Sequence, residues 1–315
     1  MSVSCRALCL LVLVLLAPAL RAQCPVPESI VAVSAAGEQE ISIASQNMWR
    51  FSSQEMSAAQ RPQRIRAWAR HLREVLNYPH VLALQEVDSL ALLDALAQRI
   101  VEDGGPSYQS LLLEGNDVSG IDVAVMFRAP LEVARVTPLF ASRRDGRHWL
   151  FSRPPLHVEF SAPFSFDLLA LHLRSGHGLD DVRQGPRVRE KRAAQARMVR
   201  SWAQARVAQG RPVMLIGDLN SAPGSDDYAV PLSILDQPPF WSVWQSVPAG
   251  QRFSYIYRCN PQAIDHILLS PKLRSRVVRA EVSRGNAGRY RTLNGTQGAA
   301  EVVSDHDALL VYLSY

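Results

Sequence analysis

Residues that bind metal ions or transfer protons stand at the ends of several short apolar stretches of this sequence. Glu86 ends Val-Leu-Ala-Leu-Gln-Glu, His172 ends Leu-Leu-Ala-Leu-His, and Asp218 follows Val-Met-Leu-Ile-Gly. Short apolar runs bounded by polar residues are typical of buried β-strands. If those strand ends meet at one edge of the sheets, their polar side chains form a single cluster on a rigid scaffold.

Three further segments extend the same pattern. Asn47 ends the first strand pattern, Asn220 follows Asp218 by two residues, and Asp305-His306 precedes Ala-Leu-Leu-Val-Tyr. Taken one at a time, each segment is better explained by a strand end, a turn or a helix cap than by a catalytic role. The prediction of a site therefore depends on their joint occurrence in one chain.

Such a cluster favours the hydrolysis of a phosphate ester. Carboxylate and amide oxygens are ligands for Mg²⁺, Mn²⁺ or Ca²⁺, and no cysteine–histidine set has the spacing of a zinc site. A bound divalent ion polarises a phosphoryl oxygen. A histidine oriented by a carboxylate activates water as a general base, and a second histidine either protonates the leaving oxygen or stabilises the transition state.

The elements that must position these residues follow from apolar periodicity. Strands are predicted over residues 41–47, 81–84, 121–127, 131–136, 156–160, 166–172, 213–216, 264–269, 277–282 and 308–313. Helices are predicted over residues 61–76, 90–100 and 189–207, and the last has an expected buried stripe of Ala194, Met198, Trp202 and Ala205. Helices mixed with many strands predict a mixed-sheet sandwich with outer helices.

Residues 1–22 are predicted to be a secretory signal peptide. Arg6 is the only charge before an apolar run over residues 7–17, and small residues follow that run. Residues 23–315 are then expected to form one domain, since no repeat, low-complexity tract or long linker divides them. We expect a secreted or periplasmic protein that is monomeric and has no transmembrane segment.

Two cysteines, Cys24 and Cys259, remain after the predicted signal peptide. In an oxidising compartment they are predicted to form a disulfide bond, with two unpaired thiols as the alternative. The formal net charge is +5 and the sequence pI is about 9.2. This mild basicity is compatible with a polyanionic substrate and does not require one.

Six motifs occur in a fixed order along the chain: Asn47, Leu84-Gln85-Glu86-Val87, His172-Leu173, Gly217-Asp218-Leu219-Asn220, Ile264-Asp265-His266-Ile267-Leu268 and Ser304-Asp305-His306. The ordered set resembles the endonuclease/exonuclease/phosphatase superfamily, which includes deoxyribonucleases, abasic-site endonucleases, bacterial sphingomyelinases and inositol polyphosphate phosphatases. The resemblance implies an α+β fold, a four-layer α/β/β/α sandwich. Two mixed, mostly antiparallel sheets would pack face to face between outer helices.

The resemblance also implies a metal site. Glu86 matches the main metal-binding glutamate, Asn47 matches its asparagine neighbour, and Asp305 matches a further metal ligand. The implied cofactor is Mg²⁺, with Mn²⁺ or Ca²⁺ as alternatives.

The catalytic roles are implied in the same way. His306 matches the catalytic histidine, which acts as general base, and Asp265 matches the aspartate that orients it. Asp218 and Asn220 match the pair that positions the nucleophile and the scissile phosphate, so Asn220 also binds substrate. His172 matches a second histidine on the phosphate side.

Two further features favour nucleic acid as the phosphate ester. Arg174-Ser175 follows His172-Leu173 in a pattern that resembles bacterial secreted nucleases, and Arg174 is the predicted substrate-binding residue. A basic run then extends over Arg183, Arg187, Arg189, Lys191 and Arg192. Such a run can neutralise backbone phosphates, or it is simply the solvated start of a helix. The first hypothesis is thus a secreted nuclease for DNA or RNA.

An aromatic cluster, Phe240, Trp241 and Trp244, leaves a phospholipid substrate open. Exposed aromatic residues enter a membrane interface, whereas buried ones pack beneath a loop. The second hypothesis is therefore a sphingomyelinase-like phospholipid phosphodiesterase or a phosphatase for small phosphate esters. The third is a non-catalytic binding or toxin-like module on the same fold.

Overall fold

The computed structural model describes residues 29–289 and 302–315. The predicted signal peptide and Cys24 lie outside the described residues, so cleavage and the Cys24–Cys259 disulfide bond stay predictions. Among the described residues, no helix combines the length and the apolar character needed to cross a bilayer.

Strands and helices begin and end close to most of the predicted boundaries. The strands are β1 (Glu40–Phe51), β2 (Val81–Val87), β3 (Gln109–Leu112), β4 (Asp122–Phe127), β5 (Glu132–Pro138), β6 (Arg144–Asp145), β7 (His148–Trp149), β8 (Leu156–Ala162), β9 (Phe166–His172), β10 (Val213–Asp218), β11 (Trp241–Ser242), β12 (Tyr255–Tyr257), β13 (Asn260–Gln262), β14 (Asp265–Leu269), β15 (Val277–Val282) and β16 (Leu309–Ser314). The helices are α1 (Gln60–Glu74), α2 (Leu90–Glu102), α3 (Gly185–Ala208), α4 (Val230–Leu235) and α5 (Pro271–Arg274).

The main strands form two six-stranded sheets. The order is β15-β16-β1-β2-β4-β3 in the first sheet and β11-β14-β10-β9-β8-β5 in the second. Strands β1 and β2 run parallel, as do β9 and β10, and the other neighbours run antiparallel. Both sheets are therefore mixed and mostly antiparallel, as predicted.

Side-chain alternation along the strands builds three apolar cores. In β10, Met214 and Ile216 enter an inner core between the sheets, whereas Val213 and Leu215 enter an outer core beneath α3 and α4. The other outer core lies between the first sheet and helices α1 and α2, around Trp68. Successive strand residues point to opposite faces of a sheet. Each sheet therefore has one face in the inner core and the other face in an outer core beneath helices. The four-layer α/β/β/α prediction is confirmed.

Strand direction brings the predicted site residues to one edge. The carboxyl ends of β9 and β10 lie side by side, with His172 opposite Asp218. Strand β14 runs antiparallel to β10, so its first residue, Asp265, is also opposite Asp218. In the first sheet, Asn47 of β1 is in register with the residue before Glu86 in β2.

The buried face of α3 differs from the predicted stripe. Ala205 is exposed, and Ala194, Met198 and Trp202 are only partly buried. The residues that are buried instead include Ala196, Val199, Ala203, Arg192 and Gln195. The stripe prediction is confirmed in part, because Ala194, Met198 and Trp202 pack against the outer core beneath α3. It missed Arg192 and Gln195, because apolar periodicity treats an arginine and a glutamine as solvent-facing.

His71 in α1 should make the protein sensitive to mild acid. Burial lowers the pKa of His71 to about 3. An unfolded chain binds this proton near pH 6.5, so the unfolded state gains protons first and stability falls as pH drops below that value. We expect a loss of about 2 kcal/mol between pH 6.5 and 5, measured by urea unfolding.

The matched variant is His71→Leu, which fills the same apolar site without a titrating group. Its free energy of unfolding should change less with pH over this window. An unchanged pH slope would show that His71 does not contribute.

Candidate active site

Contacts link all eight predicted metal-binding and catalytic residues at the shared edge of the two sheets. They are Asn47, Glu86, His172, Asp218, Asn220, Asp265, Asp305 and His306. Glu86, Asn220 and Asp305 are partly exposed, and the other five are buried. The structure thus brings the predicted set together, while the role of each residue in catalysis stays a prediction.

Asn47 connects the two sheets. Its side-chain Nδ2 donates to Glu86 Oε1 of the first sheet and to Asp218 Oδ2 of the second, at 3.2 Å in each case. Its Oδ1 accepts from the backbone N–H of Trp49 at 2.9 Å. In this orientation Asn47 holds the two carboxylates at a fixed separation.

Irregular backbone at the ends of β1 and β2 aims Glu86 into the site. The β1–β2 register shifts between Asn47 and Phe51, and Trp49 and Arg50 have φ of 45° and 48°. Glu86 itself has φ of 64°, and its Oε2 accepts from the Arg50 N–H at 2.9 Å. Such left-handed conformations are unfavourable for L-residues and persist where the surroundings enforce them.

The turn after β10 orients Asp218 and Asn220. Asp218 Oδ1 accepts from the Asn220 N–H at 2.7 Å, and Asn220 adopts a φ of 49°. The Asn220 side chain donates to the carbonyl of Leu173 at 3.1 Å, just after β9. The ends of β9 and β10 are therefore tied together through Asn220.

His306 is fixed by a buried carboxylate and by an aromatic ring. Its Nδ1 lies 2.7 Å from Asp265 Oδ2, and its ring centroid lies 4.8 Å from that of Tyr255. Its Nε2 lies 3.9 Å from Asp305 Oδ1. With Nδ1 bonded to Asp265, Nε2 is the nitrogen that remains to exchange a proton with substrate or water.

The cluster carries more negative than positive charge. Burial and then Asp265 raise the pKa of Asp218 to about 7, although His306 opposes them. Burial raises the pKa of Asp305 to about 6, with Glu86 adding to this shift and His306 opposing it. Burial alone would lower the pKa of His306, but Asp265 and Asp305 outweigh it and hold that pKa well above 6.5.

The pKa of His172 is shifted in the opposite direction to that of His306. Burial, and then the positive charges of Arg153 and His306, hold its pKa well below 6.5. Its Nε2 lies 3.6 Å from Asp218 Oδ2. A neutral imidazole suits hydrogen bonding to a phosphoryl oxygen better than donation of a full proton. Of the two roles predicted for the second histidine, this favours transition-state stabilisation.

The donor set fits a hard divalent cation. Metal-capable atoms of Asp218, Asp265 and His306 lie within 4.8 Å of one another, and the Oδ1 of Asp265 is buried with no hydrogen-bond partner in the described structure. Glu86 and Asp305 add carboxylates at the partly exposed side. Clustered carboxylates with raised pKa values are the arrangement that a bound cation stabilises.

Gly217, immediately before Asp218, is required by close backbone packing. It has φ of 141°, and a Cβ placed there would lie 2.0 Å from the carbonyl oxygen of Leu171 in β9. Gly217→Ala should therefore separate β9 from β10, lower stability by about 3 kcal/mol or more, and reduce turnover. Urea unfolding and kcat measured on the same preparation check this.

Gly210→Ala is the matched control, since Gly210 also has positive φ (78°) but only Lys272 Nζ lies near, at 3.7 Å. It should cost about 1 kcal/mol and leave kcat unchanged. Equal effects of the two variants would contradict the packing explanation.

The predicted substrate-binding residue Arg174 follows the end of β9 by two residues, and its guanidinium is bonded to neighbouring residues. Its Nη1 donates to Ser175 Oγ at 2.7 Å, and its Nη2 donates to the carbonyl of His177 at 2.8 Å. The side chain is partly buried. Substrate contact by Arg174 stays a prediction and requires these local bonds to be shared or replaced.

The predicted basic run does not act as one surface. Arg192 is buried, Arg189 pairs with Asp227, and Lys191 donates to the Trp149 carbonyl. Arg183 and Arg187 are exposed. The part of the run that remains available to a polyanion is therefore much smaller than predicted.

The aromatic cluster packs inward. Phe240 and Trp244 are buried, and the Trp244 indole donates to the carbonyl of Asp265 at 2.9 Å. Trp241 is partly buried, with the Arg274 guanidinium 5.1 Å from its ring centroid. Of the two explanations offered by the sequence, packing beneath the loop is the one observed.

Two residues beside the site were missed by the sequence analysis. Arg153 forms an ion pair with Asp117 at 3.0 Å and directs its guanidinium at the carbonyls of His172 and Leu173, each 3.4 Å away. Tyr255 lies against the His306 ring. Arg153 lies outside the predicted strands. Tyr255 lies within a strand predicted over residues 253–257, but that segment carries no metal-binding residue that would mark it as part of a site.

Comparisons with known proteins agree with this geometry. The Endonuclease/Exonuclease/phosphatase family model matches residues 44–306. No curated protein sequence matches the chain. Among solved structures, truncated Caenorhabditis elegans TDP2 superposes with a TM-score of 0.59 at 18% identity, covering 88% of this chain and 98% of that one.

Two other solved structures have the same fold, with similar sequence identity and TM-score. D. rerio TDP2 complexed with a single-strand DNA product has a TM-score of 0.59 at 16% identity, covering 88% of this chain and 100% of that one. A Bacteroides thetaiotaomicron mannosyl-6-phosphatase has a TM-score of 0.58 at 17% identity, covering 87% and 100%. At these identities the likeness establishes the fold alone.

The family model spans every predicted metal-binding and catalytic residue, from Asn47 to His306. Members of this family are metal-dependent phosphoester hydrolases. The chain belongs to the endonuclease/exonuclease/phosphatase family.

Proposed function

We propose that this protein is a secreted, divalent-metal-dependent phosphodiesterase that hydrolyses DNA or RNA. The observation that carries the proposal is the buried His306–Asp265 pair, 2.7 Å apart, beside Asp218 at the edge shared by both sheets. An oriented histidine can act as a general base, and the adjacent carboxylates can bind the cation that stabilises charge in the transition state.

In the proposed reaction, Glu86 and Asp305 would hold a divalent cation, and Asn47 would join them by turning its Oδ1, which accepts from the Trp49 N–H, toward the cation. When bound, it supplies positive charge that stabilises the phosphoryl oxygens and offsets the carboxylates that raise the pKa of His306. Mg²⁺ is the proposed ion, and Mn²⁺ is the expected substitute because both prefer oxygen ligands.

The protein side chains divide the remaining work. His306 Nε2 accepts a proton from the attacking water while Asp265 keeps the proton on Nδ1. Asp218 and Asn220 orient the water and the phosphate, and neutral His172 donates a hydrogen bond to a phosphoryl oxygen. The new P–O bond to water forms in line with the P–O bond that breaks, and solvent protonates the departing oxygen.

Nucleic acid is the favoured substrate for two reasons. Arg174 lies two residues after His172, and Arg183 and Arg187 are exposed before and at the start of α3, where they can approach a phosphate backbone. A relative of the same fold was crystallised with a single-strand DNA product. Export is proposed from the basic and apolar character of residues 1–22.

A small phosphate ester is the second candidate, because a structural neighbour is a mannosyl-6-phosphatase. A phospholipid is the weaker choice, since the aromatic residues that motivated it are buried or partly buried.

A substrate panel with and without EDTA tests the proposal. It comprises double-stranded DNA, single-stranded DNA, RNA, sphingomyelin vesicles and a sugar phosphate, each with Mg²⁺ or Mn²⁺. We expect metal-dependent cleavage of at least one nucleic acid. Release of phosphate from the sugar ester alone would replace the nuclease proposal with a phosphatase. Release of choline phosphate alone would replace it with a sphingomyelinase-like phospholipid phosphodiesterase.

A further inference from the structure

Arg192 is an unusual residue for the interior of α3. It has 0% relative exposure and is among the largest fully buried side chains. Among the described residues, no carboxylate lies within ion-pair distance of it, and its Nε has no hydrogen-bond partner. Burial lowers the pKa of Arg192 to about 10, although the charges of Asp218 and Asp226 oppose this shift from beyond ion-pair distance. A buried cation without a direct ion pair is unfavourable unless several hydrogen bonds compensate it.

Those hydrogen bonds go to the backbone of three separate segments. Arg192 Nη1 donates to the Arg174 carbonyl at 2.7 Å, and Nη2 donates to the carbonyls of Asn220 and Tyr228 at 3.0 and 2.7 Å. The first segment follows β9, the second follows β10, and the third precedes α4. One guanidinium thus joins the two turns that follow His172 and Asp218.

Gln195, three residues later on the same helix, completes this attachment. It is 2% exposed, and its Oε1 accepts from the Arg174 N–H at 2.9 Å. Its Nε2 donates to the carbonyl of Leu150 at 2.8 Å. Both backbone groups of Arg174, the N–H and the carbonyl, are therefore held by α3.

The held segments carry the phosphate-side groups of the site. Arg174 is two residues after His172, and Asn220 is two residues after Asp218. Loss of the bond from Arg192 to the Asn220 carbonyl would leave this turn with one fewer attachment to α3. Displacement of reacting groups by about 1 Å can cost on the order of 100-fold in rate.

We propose that Arg192 and Gln195 are positioning residues, which hold the turns bearing His172, Arg174 and Asn220 in the geometry needed for turnover. This inference rests on the proposed phosphodiesterase function. Neither residue touches the reacting atoms, and the metal-binding carboxylates Glu86 and Asp305 are held by other elements.

The test compares kcat and KM on bis(p-nitrophenyl) phosphate with Mn²⁺ for the wild-type chain, Arg192→Met, Arg192→Lys, Gln195→Met and Gln195→Glu. We expect Arg192→Met to lower kcat about 100-fold while KM changes much less. Arg192→Lys should recover part of this loss. Gln195→Glu keeps the acceptor for the Arg174 N–H, so its kcat should be higher than that of Gln195→Met.

Arg206→Met is the matched control, because Arg206 lies on the same helix and binds Asp167 away from the site. It should lower stability and leave kcat unchanged. If Arg192→Met fails to fold, the two Gln195 variants decide the matter by the same kinetic comparison.

Hydrogen exchange provides a readout that does not need activity. The amides of residues 173–175 and 219–221 should exchange faster in Arg192→Met than in wild type or Arg206→Met. The absence of any turnover by the wild-type protein would reject the proposed function, and the comparison of exchange rates would still stand. Unchanged exchange together with unchanged kcat in folded Arg192→Met would overturn the positioning role.

Discussion

Replacement of His306 with alanine is expected to lower kcat by about 10³-fold or more while the protein still folds and binds a divalent ion. His306 Nε2 is the candidate proton acceptor, and its partner Asp265 lies 2.7 Å from Nδ1. Glu86, Asn47 and Asp305 are unchanged in this variant, so Mn²⁺ binding measured by calorimetry should persist.

His157→Ala is the matched control for this variant. His157 is also buried beside a buried aspartate, with Nε2 3.4 Å from Asp167 Oδ1, but it lies outside the candidate site. Its replacement should affect stability and not kcat. Equal activity of His306→Ala and wild type would reject His306 as the base.

Glu86→Gln is expected to raise the divalent-ion concentration needed for half-maximal rate by about 100-fold. The amide keeps the size of the side chain and an oxygen that can accept from Arg50 N–H, but it removes one negative charge from the cluster. Affinity for a hard cation depends strongly on the number of charged ligands. Rates measured over a Mg²⁺ or Mn²⁺ titration give this value directly.

Glu55→Gln separates a local effect from a general loss of charge. Glu55 is exposed and pairs with Arg50, so it lies near β1 without belonging to the cluster. Its variant should keep the wild-type metal requirement. A Glu86→Gln enzyme with unchanged metal dependence would remove Glu86 from the proposed ligand set.

Much of the fold was predictable because apolar periodicity reports burial. The predicted strands at residues 166–172 and 277–282 match β9 and β15 in the structure. Short or partly exposed elements carry little periodicity, so β3 and α4 were not predicted.

The convergence of site residues was also predictable, but their exact orientation was not. Polar residues at the ends of apolar runs indicated that Glu86, His172 and Asp218 share an edge. The left-handed backbone at Glu86 was not foreseen, since a glutamate rarely adopts φ of 64°. It arises from the register shifts beside Asn47 and Glu86, which depend on the pairing of three strands.

The buried basic residues mark the limit of sequence interpretation here. Arg192 belongs to a run that reads as a polyanion-binding surface, yet it is buried against three carbonyls. Charge count alone does not distinguish an arginine that faces solvent from one that joins backbone turns. The three-residue spacing of Arg192 and Gln195 indicates that both contact the turns after β9 and β10 only once the position of α3 over those turns is known.

The most direct test of the central claim is the initial rate of single-stranded DNA hydrolysis by the purified protein, measured in EDTA and again after Mg²⁺ or Mn²⁺ is restored in excess. We expect no cleavage in EDTA, recovery with the metal, and no recovery for His306→Ala. Cleavage that persists in EDTA, or that is equal in wild type and His306→Ala, would contradict a metal-dependent site built around His306 and Asp265.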